Sequence, residues 1–308
     1  MRRELVLLVL IACGKHAELD RSAFDEIDVL DSPPGVSDLA IDDHGTLWAI
    51  PERDRVVLEI PRPGARAIAH PLVGVADGID TEAIAWVAPG RFALGTEGQH
   101  AATASVLDAA LEPDGRITVT AEHPLTGISL EPNKGAEGIC GRAGDVLVAI
   151  ETVGTLADGT RYAPLVRIHD GQQVAIDRLR LTSKTGKIAA LACSSPGDVY
   201  AIERHYGTSK LLHFADTGGE ITPTVVIDLY PIHHGTLNLE GLARLPDGRF
   251  AFVNDNQSRT IEGPTELLVL RKDRIPGLQP RSCVACSSRS SSSRTRPGPI
   301  PPSSRSTR

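Results

Sequence analysis

A short hairpin-like segment occurs five times along the chain. In each copy one residue begins the first apolar run and another follows the second run. We call these residues the marked positions, and nearly all of them are acidic. In the clearest copy, Glu240 begins one apolar run and Asp255 follows a second, with a Pro-Asp-Gly turn at 246–248 between them. Short strands joined by a glycine-containing turn are typical of a β-hairpin. Because a hairpin returns to the edge from which it starts, we expect the two carboxylates of one copy to lie close together.

The other four copies follow the same pattern at a regular period. The first positions of the five copies are Asp38, Glu82, Glu137, Ala189 and Glu240, and the second positions are Glu52, Glu97, Glu151, Glu203 and Asp255. The spacing within a copy is nearly constant, and the spacing from one copy to the next varies little. A strand-rich repeat of about 40–50 residues is typical of a propeller blade.

The repeats therefore predict an all-β domain, a β-propeller of five four-stranded blades, with six blades as the alternative. Each interval between copies contains a second pair of short apolar runs, whereas the last copy has only residues 265–271. We expect residues 23–30, at the other end of the domain, to supply the missing outer strand and to close the ring. The propeller domain is predicted over residues 20–275.

The composition limits the classes of partner. The chain has 308 residues and a formal net charge of −7, although its last segment contains arginines and no acidic residue. An acidic domain argues against a nucleic-acid partner and favours cations. The sequence has no Gly-x-Ser-x-Gly, Walker or His-Glu-x-x-His motif, which argues against serine-triad and nucleotide chemistry. We expect a monomer.

Residues 1–19 are predicted to form a signal peptide and a short linker. Two arginines, an apolar run at 5–12 and then Cys13 form a secretory pattern, and Leu10-Ile-Ala-Cys13 also matches a bacterial lipobox. An ordinary cleaved signal and a buried strand are the alternatives. A lipid-modified Cys13 predicts an exported protein of the bacterial cell envelope, in the periplasm or at the outer membrane, that contacts a membrane only through its lipid anchor.

The remaining cysteines lie in two different contexts. Residues 276–308 are rich in Ser, Arg and Pro, so we expect a disordered tail, in which Cys283 and Cys286 are only weak evidence for a metal or redox pair. Cys140 and Cys193 fall on the inner strands of adjacent repeats. Because inner strands of neighbouring blades diverge, we expect buried free thiols there rather than a disulfide.

The marked positions meet at one end of the predicted propeller, because the first strand of a blade lines the central channel and the second returns to the same mouth. Clustered carboxylates raise one another's pKa values unless a cation neutralises them. Calcium prefers several oxygen ligands, and its expected ligands are Asp38, Glu82, Glu137 and Glu240. The alternative is that these acids bind backbone N–H groups or arginines and only hold the blades together.

Other polar residues flank the same positions. Amide and cationic side chains suit a phosphate or carboxylate group, and the predicted ligand-binding residues are Lys134, Arg204, His205, Asn238, Asn254 and Asn256. Histidines in loops near the mouth are candidates for proton transfer, and these are His100, His205, His233 and His234.

Several of these segments resemble a known family. Asn238-Leu-Glu-Gly-Leu-Ala, followed by Leu245-Pro-Asp-Gly-Arg and Asn254-Asp-Asn, is similar to the C-terminal signature of the phytase-like propeller family described as "esterase-like activity of phytase". Asn133-Lys-Gly-Ala-Glu-Gly-Ile resembles another of its segments, and the likeness extends over about residues 30–272. The resemblance implies an exported bacterial β-propeller, hydrolysis of phosphate or other esters, and bound calcium. It supplies no proven catalytic residue.

Two classes of function fit these observations. The first is a calcium-assisted esterase or phosphomonoesterase that acts on a small-molecule ester or phosphate at the channel mouth, where the cation activates water. The residues expected to be catalytic are Glu82, Glu137, Glu240 and Asp255. The alternative is a non-catalytic lipoprotein that presents the mouth to a ligand or partner. A lactonase-like propeller hydrolase fits the same residues less closely.

Overall fold

The computed structural model describes residues 18–142, 144–195, 197–255 and 263–276. The predicted lipidation site Cys13, the predicted ligand residue Asn256, the Cys283–Cys286 pair and the tail beyond residue 276 lie outside these ranges. No helix within the described ranges is long and apolar enough to cross a membrane.

Most of the described residues belong to antiparallel meanders, which we call units one to five. Unit one contains β2 (Val36–Ile41), β3 (Leu47–Pro51), β4 (Val56–Ile60) and β5 (Ile68–Val73). Unit two contains β6 (Ile79–Ala88), β7 (Arg91–Gly98), β8 (Ser105–Leu111) and β9 (Ile117–Pro124). Unit three contains β10 (Ala136–Arg142), β11 (Asp145–Ile150), β13 (Arg161–His169) and β14 (Gln172–Arg180), with the short β12 (Gly154–Thr155) beside β13.

The last two units complete the order of elements. Unit four contains β15 (Lys187–Ser195), β16 (Asp198–His205), β17 (Thr208–Ala215) and β19 (Thr224–Asp228), and the short β18 (Glu220–Ile221) pairs with β14. Unit five contains β20 (Leu239–Arg244), β21 (Phe250–Asn254), β22 (Glu266–Leu270) and, from the start of the domain, β1 (Phe24–Val29). The helical segments are α1 (Tyr230–His233) and two 3-10 turns at Arg21–Ala23 and Lys272–Arg274.

The first strands of the five units form a closed ring. β2 packs against β6, β6 against β10, β10 against β15, β15 against β20, and β20 returns to β2. All five line one narrow cavity of about 50 Å³ on the ring axis. The predicted all-β propeller fold is therefore confirmed.

The N-terminal strand closes this ring as predicted. β1 pairs antiparallel with β22, with Phe24 opposite Leu270. Units one and two share a single eight-stranded sheet, because β5 and β9 pair in parallel at Leu72–Ile117 and Val73–Thr118. Since hydrogen bonding does not separate these two units, the predicted number of five blades stays a prediction.

Apolar side chains between neighbouring units hold the ring together. Each of five buried clusters draws residues from two adjacent units; one of them, for example, joins Leu39 and Leu58 of unit one to Val253 and Leu267 of unit five. Most members are Ala, Val, Leu and Ile, as the low aromatic content predicts. Burial of these aliphatic faces is the main stabilising contribution to the ring.

Each inner strand contains a β-bulge near its start. The register skips one residue in each of them: Ser37 in β2, Glu82 in β6, Glu137 in β10, Ala189 in β15 and Glu240 in β20. A bulge re-aims a side chain at a sheet edge. The repeated acids therefore owe their direction to the bulges.

Glycine follows two of the bulged acids because the inner strands approach closely there. A Cβ on Gly138 would lie 2.7 Å from the backbone of Ala190, and one on Gly241 would lie 2.8 Å from the carbonyl carbon of Asp38. Real Cβ contacts are longer than this, so only glycine fits. In the Glu-Gly pairs of units three and five, the glutamate thus faces the mouth, and the glycine allows the neighbouring inner strand to approach closely.

Close approach of the inner strands also corrects the prediction for Cys140 and Cys193. The two residues form a disulfide between β10 and β15, with their Cα atoms 5.4 Å apart. The expectation of free thiols was wrong because the inner strands lie side by side at this level of the ring and have not yet diverged.

Candidate metal centre at the channel mouth

The bulges define which residues of the repeat are equivalent. In each unit the residue just before the bulge pairs with the second strand, and these pairs are Val36–Pro51, Thr81–Thr96, Ala136–Ile150, Ile188–Glu203 and Leu239–Asn254. The residues that follow on the second strands are Glu52, Glu97, Glu151, Arg204 and Asp255. The predicted alignment of the repeats is therefore wrong by one residue at two positions. In unit one the bulged residue is Ser37 and not Asp38. In unit four the residue equivalent to Glu52 is Arg204 and not Glu203.

Asp38 is consequently turned into the ring axis and away from the mouth. Its Oδ1 accepts a hydrogen bond from the N–H of Leu39 at 2.8 Å, and its Oδ2 accepts one from the N–H of Ile84 at 3.1 Å. Complete burial raises the pKa of Asp38 well above its ordinary value, while these backbone N–H groups act in the opposite direction. The structure does not bring Asp38 to the other predicted metal ligands. Instead, the Asp38 side chain connects two inner strands, β2 and β6.

Glu203 also has a structural role. Its two carboxylate oxygens accept hydrogen bonds from the backbone N–H groups of Thr182 and Ser183, both at 2.9 Å, and from both hydroxyls at 2.6 Å. The side chain is fully buried. It therefore holds the loop before β15 in place and contributes no free carboxylate to the mouth.

Six carboxylates do come together at the mouth, in two groups that share Glu97. The inner acidic group consists of Glu52, Asp80, Glu82 and Glu97, and the outer acidic group consists of Glu97, Glu137 and Glu151. Within each group, one carboxylate oxygen from every residue lies within 4.8 Å of the others. Such spacing suits several oxygen ligands around one Ca²⁺ ion.

The inner acidic group contains three carboxylate oxygens without a hydrogen-bond donor. Among the described residues, none donates to Asp80 Oδ2, Glu82 Oε1 or Glu97 Oε2, although Arg53 Nε lies 3.8 Å from Asp80 Oδ2. The three residues are 1%, 8% and 3% exposed. Burial of unpaired carboxylate oxygens costs several kcal/mol, a cost that a bound cation removes.

Asp80 is the member of this group that the repeat analysis missed. It lies two positions before Glu82, and residues i and i+2 of a strand share a face. Its Oδ1 accepts a hydrogen bond from Gln99 Nε2 at 2.6 Å. The i, i+2 pair of acids was the signal in the sequence that could have identified it.

Burial and mutual repulsion raise the pKa values of Glu82 and Glu97. Burial, followed by the charges of Glu137 and Glu97, raises the pKa of Glu82 well above its ordinary value. Burial and the neighbouring Glu137 and Glu52 raise the pKa of Glu97 to about 8. Without a cation, Glu97 therefore holds a proton at neutral pH.

Unit four supplies positive charge beside the outer acidic group. Lys187 Nζ forms an ion pair with Glu151 Oε1, and Arg204 forms one with Glu240, with Nε 3.1 Å from Oε2. Burial lowers the pKa of both Lys187 and Arg204. Arg204, which takes the place of the repeated acid, thus neutralises Glu240 and keeps it apart from the two acidic groups.

The fifth unit forms a hydrogen-bonded network around Asn238. Asn238 Nδ2 donates to Glu240 Oε1 at 2.9 Å and to Asp255 Oδ2 at 3.2 Å. Asn254 is buried, and its Oδ1 accepts a hydrogen bond from the N–H of Glu266 at 2.6 Å. Glu240 and Asp255 are therefore engaged in this network, and Asn254 is engaged separately with Glu266.

A cavity of about 660 Å³ opens beside the outer acidic group. Its wall includes Glu151, Lys187 and His205, together with three further cations, Lys134, Arg161 and Arg178. Lys134 forms an ion pair with Glu131 at 2.6 Å. The cavity provides space for a ligand next to Glu151. His100 and His234, the other candidates for proton transfer, are exposed, whereas His233 is buried.

Comparisons with known proteins support the fold. Residues 17–151 match the model of the SdiA-regulated family, a propeller-like family. No curated protein matches the sequence. The resemblance to the phytase-like family specifically is not confirmed by these matches.

Solved structures resemble the chain at low identity. The β-xylosidase RS223 is 13% identical to this chain. The match covers 80% of this chain and 95% of the xylosidase chain, with a TM-score of 0.51. The PQQ-bound aldose sugar dehydrogenase of Streptomyces coelicolor is 12% identical over 80% of this chain and 98% of its own, with a TM-score of 0.48. Streptogramin B lyase is 12% identical over 81% of this chain and 99% of the lyase chain, with a TM-score of 0.47. Likeness at this level of identity concerns the fold alone.

Proposed function

We propose that the channel mouth binds Ca²⁺ in the inner acidic group and hydrolyses an ester or phosphomonoester beside it. The observation that carries the proposal is the set of three buried carboxylate oxygens, on Asp80, Glu82 and Glu97, that receive no hydrogen bond from any residue in the described ranges. Oxygen ligands and buried negative charge, together with the raised pKa values of Glu82 and Glu97, favour a hard divalent cation over an arginine or a water molecule.

The two acidic groups differ in their access to solvent, which suggests different roles. Asp80, Glu82 and Glu97 are buried, so these residues would hold a cation away from solvent. Glu137 is half-buried, and Glu151 lines the cavity of about 660 Å³. A cation that reaches the outer group would polarise a phosphoryl or acyl oxygen. Glu137 would then hold the attacking water and accept its proton.

The cavity wall supplies the groups that would bind the substrate. Lys187 and Arg161 carry positive charge on the wall, and His205 lies beside them. Burial and the nearby Lys187 lower the pKa of His205, so its ring is neutral at pH 7. These groups suit the anionic oxygens of a phosphate ester. Glu240 and Asp255 act through Asn238 and Arg204 and are positioning residues in this proposal.

A second function, cation-dependent binding without hydrolysis, is favoured by one contact. Lys187 Nζ forms its ion pair with Glu151, a member of the outer acidic group. While this ion pair is intact, the outer group offers a cation only two free carboxylates. The inner group would then hold a structural ion, and the mouth would bind its ligand without chemistry.

Calorimetry and a hydrolysis assay on the full chain separate these possibilities. We expect Ca²⁺ to raise Tm and to bind with a stoichiometry of at least one, and we expect turnover of p-nitrophenyl phosphate or acetate only with Ca²⁺. Glu82→Gln should abolish cation binding, whereas Glu137→Gln should abolish turnover and retain cation binding. Glu112→Gln, in the turn between β8 and β9, is the control. Cation binding without turnover supports the binding function, and the absence of any Ca²⁺ effect overturns both.

We further propose that the chain is exported and anchored through Cys13. The disulfide between Cys140 and Cys193 supports this proposal, because disulfides persist in oxidising compartments outside the cytosol. Fractionation of cells that express the chain, with Cys13→Ser as the comparison, tests it. Recovery of both versions in the cytosol would contradict export, and recovery of both in the soluble envelope fraction would contradict the anchor.

A further inference from the structure

A second cavity, of about 450 Å³, lies beside the first on the side of unit five. It is formed by the turn between β16 and β17, by α1 and by the segment before β20. Lys187 and Arg204 are the charged residues on its wall, and no acidic residue is among the described residues that line it. The wall of the cavity therefore carries cationic side chains, and the acids that pair with them, Glu151 and Glu240, are not among its described lining residues.

His233 presents a buried donor to this cavity. The residue is 4% exposed, and its Nδ1 accepts a hydrogen bond from the N–H of Gly235 at 3.0 Å. An imidazole that accepts at Nδ1 carries its proton on Nε2. Burial lowers the pKa of His233 to about 4, which keeps the ring in this neutral form. Within the described part of the chain, Nε2 has no hydrogen-bond partner.

Ser209 presents a second buried group to the same cavity. It is 2% exposed and lies on β17, opposite Arg204 of β16. Its Oγ has no hydrogen-bond partner among the residues that the structure describes. A buried hydroxyl without a partner is destabilising. Two such groups on one wall, His233 Nε2 and Ser209 Oγ, indicate that a ligand atom satisfies them.

We propose that this cavity binds an oxyanion, a phosphate or carboxylate group, whose oxygens accept hydrogen bonds from His233 Nε2 and Ser209 Oγ. Lys187 and Arg204 place cationic groups on the wall that favour an anion, although each also pairs with an acid, Glu151 and Glu240 respectively. A hydrogen bond from a neutral donor to an ionised oxyanion is stronger than one between two neutral groups. The site shares Lys187 with the outer acidic group, but its occupation does not require a cation or hydrolysis.

The anion site can be tested by isothermal titration calorimetry. The full chain is first freed of cations with a chelating resin and is then titrated separately with inorganic phosphate and with acetate. We expect one of the two anions to bind, and its identity distinguishes a phosphate site from a carboxylate site. Ser209→Ala and His233→Phe should each weaken that binding about tenfold, because each removes one hydrogen bond to a charged group. Arg178→Ala is the matched control, since Arg178 lines only the larger cavity.

Two results of the titration would overturn the proposal. One is that neither anion binds. The other is that Arg178→Ala weakens binding while Ser209→Ala and His233→Phe leave it unchanged, which would place the anion in the larger cavity beside the outer acidic group. Neither result bears on Ca²⁺ binding, because the titration is made without cations.

Thermal stability gives an independent measurement. Ser209→Ala removes a buried hydroxyl that has no partner in the part of the chain that the structure describes, so we expect it to raise the Tm of the anion-free protein by about 2 °C and to reduce the increase caused by the anion. Ser37→Ala is the control, since Ser37 is also buried but its Oγ donates to Gly35 O at 3.4 Å. A lower Tm for anion-free Ser209→Ala would show that the hydroxyl is already satisfied and would overturn the assignment.

Discussion

The carboxylate of Asp38 accepts a hydrogen bond from the backbone N–H of Ile84 at 3.1 Å, across the boundary between units one and two. The backbone N–H groups of Leu242 and Ile139 also stabilise the charge of Asp38, and they belong to inner strands of units five and three. One side chain on the ring axis thus interacts with the first strands of four units. Asp38 is a central contact of the ring, and its chemistry is structural.

Replacement of Asp38 by alanine should therefore destabilise the whole domain. Asp38→Ala leaves at least two buried N–H groups, those of Leu39 and Ile84, without an acceptor, at a cost of about 1–3 kcal/mol each. We expect the free energy of unfolding in urea to fall by about 3 kcal/mol, while Ca²⁺ still raises Tm. Asp77→Ala, at an exposed position, is the control. An unchanged free energy of unfolding in Asp38→Ala would contradict this role.

The fold was predictable from the sequence because its signal is a repeated local pattern. Alternating apolar runs and glycine turns are properties of short segments, and the closing strand β1 followed from the one missing run. The site was less predictable because it depends on bulges. A one-residue change of register moves a side chain to the other face of a strand. Asp38 is offset by one residue from the position that Glu82 holds in its unit, and Glu203 is offset by one residue from the position that Glu151 holds. Neither Asp38 nor Glu203 therefore joins the acidic groups.

Contacts between units were the second limit on prediction from sequence. The disulfide of Cys140 with Cys193 depends on how closely β10 and β15 approach, and the Gly138 that permits this approach gives no sign of it in one sequence. The ion pair of Arg204 with Glu240 likewise joins two units. The motif showed that unit four lacks its inner acid, but only the structure shows that Arg204 replaces the outer acid.

The pH dependence of stability should report the buried acid Glu97. Its pKa is raised from 4.5 to about 8 in the folded protein, so the folded state retains a proton that the unfolded state has lost between these values. Without cations, stability should therefore fall as pH rises from about 6.5 to 8, by at most about 1.4 kcal/mol per pH unit for this group. Below about pH 6.5 the lowered pKa of His233, about 4 in the folded protein, acts in the opposite direction. Glu97→Gln and saturating Ca²⁺ should each reduce the slope. Urea unfolding across this pH range makes the measurement, and a stability that rises with pH in the cation-free protein would contradict it.

Calcium binding at neutral pH should release protons for the same reason. Because Glu97 is protonated in the cation-free protein at pH 7, a bound cation displaces that proton. The apparent enthalpy of Ca²⁺ binding should therefore differ between phosphate-free buffers of low and high ionisation enthalpy at pH 7. The difference should become smaller at pH 9.5 and in Glu97→Gln. Equal enthalpies in all buffers at pH 7 would show that no proton is linked to binding.

Removal of the disulfide should lower stability substantially. The bond between Cys140 and Cys193 closes a loop with a sequence separation of 53, and the chain-entropy relation gives about 4 kcal/mol for a loop of this length. We expect Cys140→Ser/Cys193→Ser to lower the free energy of unfolding by this amount. A reductant should lower the stability of the wild type and leave that of the double variant unchanged. A reductant that affects both equally would show that other cysteines are responsible.

Replacement of Lys187 should strengthen cation binding and weaken the cation-free protein. Lys187 Nζ forms an ion pair with Glu151 and lies near Glu137 and Glu97, so it competes with a cation for the outer acidic group. Lys187→Met removes this positive charge while retaining most of the apolar volume. Because a buried carboxylate is then left without its partner, we expect Tm without Ca²⁺ to fall and the affinity for Ca²⁺ to rise about tenfold. Lys210→Met is the matched control, since Lys210 lies in the same unit and its Nζ donates to Thr182 Oγ1 at 2.9 Å. A Ca²⁺ affinity that falls in Lys187→Met would mean that the lysine supports the site, and the outer acidic group would then not be a place where a cation binds.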